Sequence, residues 1–259
     1  MRPWFSSGSA VDFKSLKRVE SGRFGEPSFS IQLTNPQGNS VSPFHGINLP
    51  KLETRIASRL LFPFVCEIPR ESTAKMEVQL NEKFNPIRQD YKNNGKEPRF
   101  LPIKPLFNYG MIPQTFADPV IPCSHCGLPG DGDAIDAIEV SKSTKSTPPE
   151  VGSVIPVRVL GSLCFIDNNE ADWKILVSAD QHDDDSDGPL NDDCLMHIFH
   201  FFENYKGPNS GNYFHSNRKL FSLEDTIHLL KQANDNYNKL LHHPGINKRA
   251  DIWLDETTA

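Results

Sequence analysis

Residues 154–177, VIPVRVLGSLCFIDNNEADWKILV, determine the fold class, because they contain three short apolar runs in succession. In Val154–Leu160, Leu163–Ile166 and Trp173–Val177, apolar residues tend to recur at every second position, which is the spacing of a β-strand with one buried face. Turn-forming residues separate the runs. The stretch therefore predicts neighbouring short strands of a small barrel or sandwich.

The same alternation recurs upstream and predicts further strands at Phe64–Ile68, Met76–Leu80 and Ile135–Val140. Two amphipathic helices follow, with apolar side chains at helical spacing: Leu195, Ile198, Phe199 and Phe202 in the first, and Leu223, Ile227, Leu230, Tyr237 and Leu241 in the second. Ser222 with Asp225 is a capping box for the second helix, which His243-Pro244-Gly245 should end.

Composition divides the chain near residue 58. Residues 1–58 are rich in Ser, Gly, Asn and Pro, and we expect an N-terminal arm or extra hairpin wrapped on a main body of residues 59–259. Residues 181–193 read as an acidic loop, in which loose cation binding is less expected than simple solvation. Basic residues outnumber acidic ones in residues 1–25, which leaves an organelle transit peptide as an alternative.

The overall composition excludes several classes of function. A net charge of −6 argues against broad electrostatic binding of nucleic acid, so no nucleic-acid partner is expected. No apolar run approaches the ~20 residues that span a bilayer, so no membrane segment is expected. The five cysteines are an odd number in a long chain, which argues against a disulfide framework, favours a reducing compartment and predicts a cytoplasmic location.

The segment Gly130-Asp131-Gly132-Asp133-Ala134-Ile135-Asp136 places three carboxylates within six residues. At neutral pH these carboxylates would repel one another unless a cation lay between them. Such hard oxygen ligands suit magnesium or manganese and not zinc. A solvated acidic turn would carry the same residues, and the heptapeptide alone does not decide between the two interpretations.

Two of the expected strands place a cation and a carboxylate on the same polar face. Alternation puts Asp172 beside Lys174, with Trp173 on the opposite face, and puts Lys75 beside Glu77. Such a pair is usually a surface ion pair. A site that holds both a metal ion and the phosphate bound to it needs the same combination.

Six motifs follow one another in the order and approximate spacing of soluble family I inorganic pyrophosphatases, whose eukaryotic branch is the closer match. They are Glu67-Ile-Pro-Arg70, Ala74-Lys75-Met76-Glu77, Asn108-Tyr-Gly-Met-Ile-Pro-Gln-Thr115, Gly130–Asp136, Asp167–Lys174 and Tyr205-Lys-Gly-Pro208. The chain resembles this family from about residue 60 to residue 242. The resemblance implies an α+β fold, mainly β, with a five-stranded OB-like β-barrel and helices packed against it.

The resemblance also implies a homodimer that hydrolyses inorganic pyrophosphate to two phosphates, with several Mg²⁺ ions per active site and direct attack by a metal-bridged water. Carried over by position, Asp131, Asp136 and Asp172 resemble the ligands of the tighter metals, Glu77 and Asp167 those of further ions, and Glu67 an outer carboxylate. Asp133 resembles the general base. The groups that resemble phosphate ligands are Lys75, Arg99, Tyr109, Lys174, Tyr205 and Lys206.

Two positions depart from the family pattern. Ala134 stands where the family usually has proline, which should loosen the turn at a cost well under ~1 kcal/mol. Pro105 stands four residues before Tyr109, where the family tends to have another tyrosine, so the role of that hydroxyl is not carried over.

Alternatives remain open from the residues themselves. Asp131-Gly-Asp133 is also the Asp-x-Asp motif of metal-dependent glycosyl- or nucleotidyltransferases, and an OB-type barrel can be a non-enzymatic binding module. Cys123-Ser-His-Cys126 offers two ligands to zinc, or three with His125, where a structural zinc site needs four, so a loop with reduced thiols is the favoured interpretation.

Overall fold

The computed structural model of the protein describes residues 13–52, 60–93, 95–180, 190–207, 211–242 and 251–254. A 3₁₀ turn at Phe13–Ser15 precedes the first strand. The strands are β1 (Lys17–Ser21), β2 (Ser30–Thr34), β3 (Ser40–Val41), β4 (Phe62–Ile68), β5 (Met76–Val78), β6 (Ile87–Gln89), β7 (Tyr91–Lys92), β8 (Glu97–Pro98), β9 (Asn108–Ile112), β10 (Ile135–Glu139), β11 (Val154–Asp167), β12 (Glu170–Ser178), β13 (Tyr213–Phe214) and β14 (Leu220–Phe221). The helices are α1 (Asp192–Asn204), the short turn α2 (His215–Arg218) and α3 (Leu223–His242).

Five strands form the centre of the fold. Strand β4 pairs with β9, β9 with β10, β10 with β12, β12 with β11, and β11 with β4, so the pairings make a closed ring. All of these pairings are antiparallel except that of β10 with β12. The strands are rich in β-branched and aromatic residues that pack on a pleated surface. The prediction of a mainly β fold around five strands is therefore confirmed.

A second sheet contains the N-terminal strands. Its order is β1-β2-β6-β5, with β3 paired to β2, so residues 17–41 share a sheet with strands from beyond residue 75. The aliphatic side chains of Ile31, Leu33 and Ile87 fill its buried face. The division of the chain at residue 58 stays a prediction, because residues 53–59 lie outside the described ranges.

Strand β11 corrects one expectation from the sequence. Val154–Leu160 and Leu163–Ile166 were expected to be separate strands, but they form one 14-residue strand with a bulge between Val159 and Gly161. Gly161 does not mark a turn. A Cβ there would lie 2.7 Å from the Phe221 carbonyl oxygen, so glycine lets β14 pair closely with β11.

The two long helices start and pack as their apolar spacing predicts. Asn191 caps α1 by accepting the Cys194 amide at 2.9 Å, and the buried face of α1 carries Ile198, Phe199, Phe201 and Phe202. The capping box of α3 is present: Ser222 Oγ accepts the Asp225 amide at 3.1 Å, and Asp225 Oδ2 accepts the Ser222 amide at 3.4 Å.

The remaining expectations differ from the structure mainly at element ends. Strand β4 starts two residues earlier than expected, and β5 stops two residues sooner. Within the described ranges, no helix is both long and apolar enough to cross a membrane. Residues 181–189 of the acidic loop, the His243-Pro244-Gly245 helix stop and the first 12 residues lie outside the described residues.

Candidate active site

Twelve of the thirteen residues singled out by the motifs line one cavity of about 190 Å³. They are Glu67, Lys75, Glu77, Arg99, Tyr109, Asp133, Asp136, Asp167, Asp172, Lys174, Tyr205 and Lys206. The thirteenth, Asp131, lies close enough to Asp133 and Asp136 for their charges to shift its pKa. The five strands of the ring supply six of the twelve side chains, and the segment after α1 supplies Tyr205 and Lys206.

Lys174 is the most buried charge of the cavity, with a side chain only 2% exposed. Its Nζ lies 2.5 Å from Oδ2 of both Asp136 and Asp172, and it donates to the Tyr109 hydroxyl at 3.1 Å. The Phe202 ring centroid is 5.1 Å from the same Nζ. Burial alone would lower the pKa of Lys174, but the two carboxylates outweigh it and hold the pKa above its ordinary value. The paired geometry offsets the cost of burying this charge.

The carboxylates of the 131–136 segment converge because the chain turns at Gly132. Gly132 has a φ of 80°, a left-handed conformation that glycine adopts at little cost. Its amide donates to the Ala117 carbonyl at 2.9 Å, and the Ala117 amide donates to the Asp133 carbonyl at 2.8 Å. Strand β10 then starts at Ile135, and its register sets Asp136 opposite Lys174 of β12.

The proximity of these carboxylates raises their pKa values. Burial together with the charges of Asp133 and Asp136 raises the pKa of Asp131 to about 8. Burial and the charge of Asp136 raise the pKa of Asp133 to about 7. By their accessible surface, however, Asp131 and Asp133 are both exposed, so the mutual repulsion of the carboxylates is the better-supported cause of the upward shift. Burial and the same neighbours also raise the pKa values of Asp172 and Glu67.

At one side of the cavity, Lys75 and Arg99 share an aspartate that the sequence analysis did not single out. Lys75 Nζ donates to Glu77 Oε2 at 2.7 Å and to Asp90 Oδ2 at 2.9 Å, and the Arg99 guanidinium donates to the same Asp90 oxygen. Although burial opposes it, these two cations lower the pKa of Asp90. Asp90 directly follows β6 (Ile87–Gln89), a strand that the sequence analysis did not predict, so no motif marked it.

At the other side, Asp167 gathers the residues that follow α1. Its Oδ2 accepts Lys206 Nζ at 2.5 Å and the Tyr205 hydroxyl at 3.1 Å, and its Oδ1 accepts Asn212 Nδ2 at 3.0 Å. Asn212 was also missed, because nothing in its neighbouring sequence marks it. Tyr109 closes the wall between the two sides, since its hydroxyl donates to Asp136.

A larger cavity, about 280 Å³, lies beside this one and is lined by Arg70, Asn108 and Glu139, among others. Its buried Glu139 carboxylate already accepts hydrogen bonds from Asn108 Nδ2 at 2.7 Å, the Thr144 hydroxyl at 2.7 Å and the Ser141 amide at 2.8 Å. A carboxylate whose hydrogen bonds are all made within the protein has a structural role. The greater volume of this cavity therefore does not make it the better candidate for chemistry.

Whether the smaller cavity suits a metal can be judged from its donors. Among the residues that the structure describes, no three His, Cys, Asp or Glu side chains are arranged as a preformed metal site. The donor chemistry nevertheless fits a hard divalent cation, because carboxylates with raised pKa values are short of positive charge. The roles of the individual residues stay predictions.

The two departures from the family pattern have clear local effects. The Ala134 amide donates to Asp133 Oδ1 at 2.7 Å, which a proline at this position could not do. Pro105 is buried, and with Leu101, Phe201 and Phe202 it lines a small cavity of about 60 Å³ next to Tyr109.

Comparisons with known proteins agree with this geometry. A family model described as inorganic pyrophosphatase matches residues 64–238. The inorganic pyrophosphatase of Homo sapiens is 32% identical over 225 residues, which cover 82% of this chain and 74% of the human protein.

Solved structures are similar in shape as well as in sequence. The type I inorganic pyrophosphatase of Toxoplasma gondii superposes with a TM-score of 0.78 at 34% identity, covering 87% of this chain and all of that one. An N-terminally truncated vacuolar soluble pyrophosphatase of Trypanosoma cruzi, solved in complex with PPi, gives a TM-score of 0.72 at 30% identity and covers 93% of this chain and 98% of that one.

Proposed function

Because the chain belongs to the inorganic pyrophosphatase family, we propose that it hydrolyses inorganic pyrophosphate to two molecules of phosphate in the 190 Å³ cavity. One observation supports this assignment most strongly. Four basic side chains and a set of carboxylates, drawn from segments more than a hundred residues apart, line the same small space. A polyanion such as pyrophosphate, held together with divalent cations, needs this mixture of charges.

We propose Mg²⁺ as the cation. Asp131, Asp136 and Asp172 would hold the tighter ions, Glu77 and Asp167 would hold further ions, and Glu67 would be an outer carboxylate. Glu67 has a structural partner as well, because its Oε1 accepts the Val78 amide at 2.7 Å. When bound, the cations would neutralise phosphate charge and make water more acidic.

The side chains of the protein would perform the remaining tasks. Lys75, Arg99, Lys174 and Lys206 supply positive charge for the phosphate oxygens, and the Tyr109 and Tyr205 hydroxyls supply neutral donors. Asp133 takes the proton from the attacking water. A carboxylate suits this task, because a positioned Asp side chain can act as a general base, and the Ala134 amide holds Asp133 in place by donating to its Oδ1.

We further propose a cytoplasmic homodimer. The resemblance to eukaryotic members supports the dimer, and the odd cysteine count of the sequence supports a reducing compartment. Sedimentation equilibrium tests the first proposal, and fractionation of cells that produce the protein tests the second.

Phosphate release tests the proposed reaction. The purified protein is given pyrophosphate, ATP or a UDP-sugar with Mg²⁺ as the only divalent cation, and pyrophosphate should be hydrolysed far faster than the others. An Asp133→Asn variant controls for a contaminating hydrolase. Comparable rates on ATP and pyrophosphate would contradict the assignment, and transfer from the UDP-sugar would favour a glycosyltransferase.

A further inference from the structure

Three thiols meet next to the candidate active site, although the sequence showed only two of them as a motif. Cys123 and Cys126 are half-buried in a loop, and Cys164 is buried on β11 with 2% exposure. The Cys126 thiol lies within hydrogen-bonding reach of both the Cys123 and the Cys164 sulfurs. We name these three residues the thiol cluster.

The loop holds the two outer sulfurs side by side. The Cys123 carbonyl accepts the Gly127 amide at 2.8 Å, and the Cys123 amide donates to the Leu128 carbonyl at 2.7 Å. Amides also reach the sulfurs: His125 N–H donates to Cys123 Sγ at 3.4 Å, and Leu128 N–H donates to Cys126. Gly127, with a φ of 72°, closes the turn. These hydrogen bonds hold the two sulfurs in place within the loop.

The same loop is tied to two proposed cation ligands. It runs through Pro129 to Asp131, and the Pro129 carbonyl accepts the Ala171 amide at 2.7 Å, next to Asp172. Cys164 lies opposite Trp173 in the β11–β12 pair, and the Asp172 charge raises its pKa after the larger effect of burial. A shift of the loop would therefore reach two of the proposed cation ligands, Asp131 and Asp172.

We propose that Cys123 and Cys126 are a site of reversible oxidation by hydroperoxides, and that the disulfide formed between them weakens cation binding in the neighbouring cavity. The second part of this proposal depends on the proposed function, whereas the first does not. The structure favours a disulfide over a bound metal, because the His125 ring packs edge-on against Trp173 and Phe221 at 5.5 and 5.0 Å. No preformed metal site is found among the described residues, Cys164 included.

The reaction uses two thiols and one hydroperoxide. Cys123 sulfur, which accepts hydrogen bonds from His125 N–H and from the Cys126 thiol, attacks one peroxide oxygen. The O–O bond breaks, an alcohol or water leaves, and Cys123 becomes a sulfenic acid. Cys126 sulfur then displaces the sulfenic hydroxyl, which leaves as water with the Cys126 proton. The two thiols lose two electrons in total, and the peroxide gains them.

The order of attack follows from the surroundings of each sulfur. Burial raises the pKa of Cys126 and that of Cys164, so both stay protonated at neutral pH. Cys126 is therefore suited to the second step, in which it brings its own proton. The S–S bond of the disulfide would be about 2.05 Å long, which is shorter than a hydrogen-bonded contact between two thiols. Its formation would shift the turn that leads through Pro129 to Asp131.

The first experiment detects the modification without measuring activity. The reduced protein is treated with hydrogen peroxide, unreacted thiols are alkylated, and peptides are mapped by mass spectrometry. We expect a Cys123–Cys126 disulfide that a phosphine reductant reverses and that Cys126→Ser abolishes. The matched control is Cys194→Ser, because Cys194 is another half-buried thiol whose pKa burial raises.

The second experiment tests the effect on cation binding. Thermal midpoints of the reduced and oxidised protein are measured against Mg²⁺ concentration. Oxidation should raise the Mg²⁺ concentration that gives half of the maximal increase in midpoint about 10-fold, which is typical when residues behind the metal ligands are disturbed. An unchanged Mg²⁺ titration of a fully oxidised sample would refute the coupling.

Three other results would overturn the modification itself: no disulfide, a Cys126–Cys164 disulfide instead, or zinc retained by the thiols after dialysis against a chelator. If the Cys123–Cys126 disulfide formed but the protein did not hydrolyse pyrophosphate, the proposed function would be refuted and the proposed oxidation site would still be supported.

Discussion

At the scale of single residues, Asp133 and Asp136 differ in the groups that contact their carboxylates. Asp136 accepts from Lys174 and Tyr109, whereas Asp133 accepts a backbone amide, that of Ala134. As a shared cation ligand, Asp136→Asn should weaken Mg²⁺ binding and regain activity at high Mg²⁺. As a base, Asp133→Asn should lower kcat by ~10²–10⁴-fold at saturating Mg²⁺. Steady-state kinetics across a Mg²⁺ series separates the two, and rescue of Asp133→Asn alone would reverse the assignments.

Ala134 makes a second prediction possible. Its amide hydrogen bond stabilises the ionised form of Asp133 and so lowers the pKa of that carboxyl against burial and repulsion. Ala134→Pro removes the donor, so the acidic limb of the pH–rate profile should move to higher pH. Ala134→Ser keeps the amide and should leave that limb in place. Identical profiles for the two variants would show that this hydrogen bond does not tune the base.

The residues that sequence reasoning missed have a common cause. Asp90, Asn212 and Cys164 belong to no motif, and each acquires its partners only when distant segments meet. Strand alternation correctly put Asp172 beside Lys174, because both lie on one strand and a period of two suffices. Contacts within one strand are thus predictable from sequence, whereas contacts between strands need the register of the fold.

At the scale of the elements, Gly110 of β9 allows two strands of the ring to approach closely. A Cβ at this position would lie 1.9 Å from the Val65 carbonyl oxygen of β4, which is far too close. Gly110→Ala should therefore push β4 and β9 apart and destabilise the protein by roughly 3 kcal/mol, at the upper end for an overpacked site. Urea denaturation followed by circular dichroism measures this change.

A matched glycine separates the clash from a change in backbone preference. Gly38 has a φ of 85° and nothing within 4 Å of its Cβ position, so Gly38→Ala should cost only about 1–2 kcal/mol, for the left-handed conformation. If Gly110→Ala were no more destabilising than Gly38→Ala, the close approach of β4 and β9 would not be a constraint on the fold.

The same principle explains why the sequence analysis wrongly divided β11 into two strands. Glycine has at least two structural uses, as a turn former and as a point of close backbone approach, and a sequence does not distinguish them. Gly161 serves the second use, so the expected break in β11 is only a bulge. The helices were easier to predict, because Ser222 with Asp225 and the apolar spacing of α3 are local signals.

At the scale of the whole molecule, the raised pKa values of the carboxylates couple cation binding to pH. The folded, cation-free protein has pKa values of about 8 for Asp131 and about 7 for Asp133, against 3.8 for an ordinary aspartate. Between these limits the folded state binds more protons than the unfolded state, so this contribution to stability is complete below pH ~4 and is lost as pH rises through 7 to 8. Cations compete with those protons, so apparent Mg²⁺ affinity should rise with pH.

Thermal denaturation at pH 6, 7, 8 and 9 checks this linkage. The difference between the midpoint in Mg²⁺ and the midpoint in EDTA should widen as pH increases. Circular dichroism should show the same fold in EDTA below the midpoint, because the core is built from apolar clusters and not from the cavity. A constant difference across this pH range would mean that the carboxylates are already ionised before cations bind.

The length of β11 has a consequence for how the chain is made. This strand pairs with β4, which precedes it, and with β12, β13 and β14, which follow. During translation, β4 and β9 emerge first and must wait with unpaired edges until Ser178 completes the ring. Exposed edges of this kind invite pairing with other chains. The nascent protein is therefore vulnerable to aggregation from the emergence of β9 until β12 has emerged and paired.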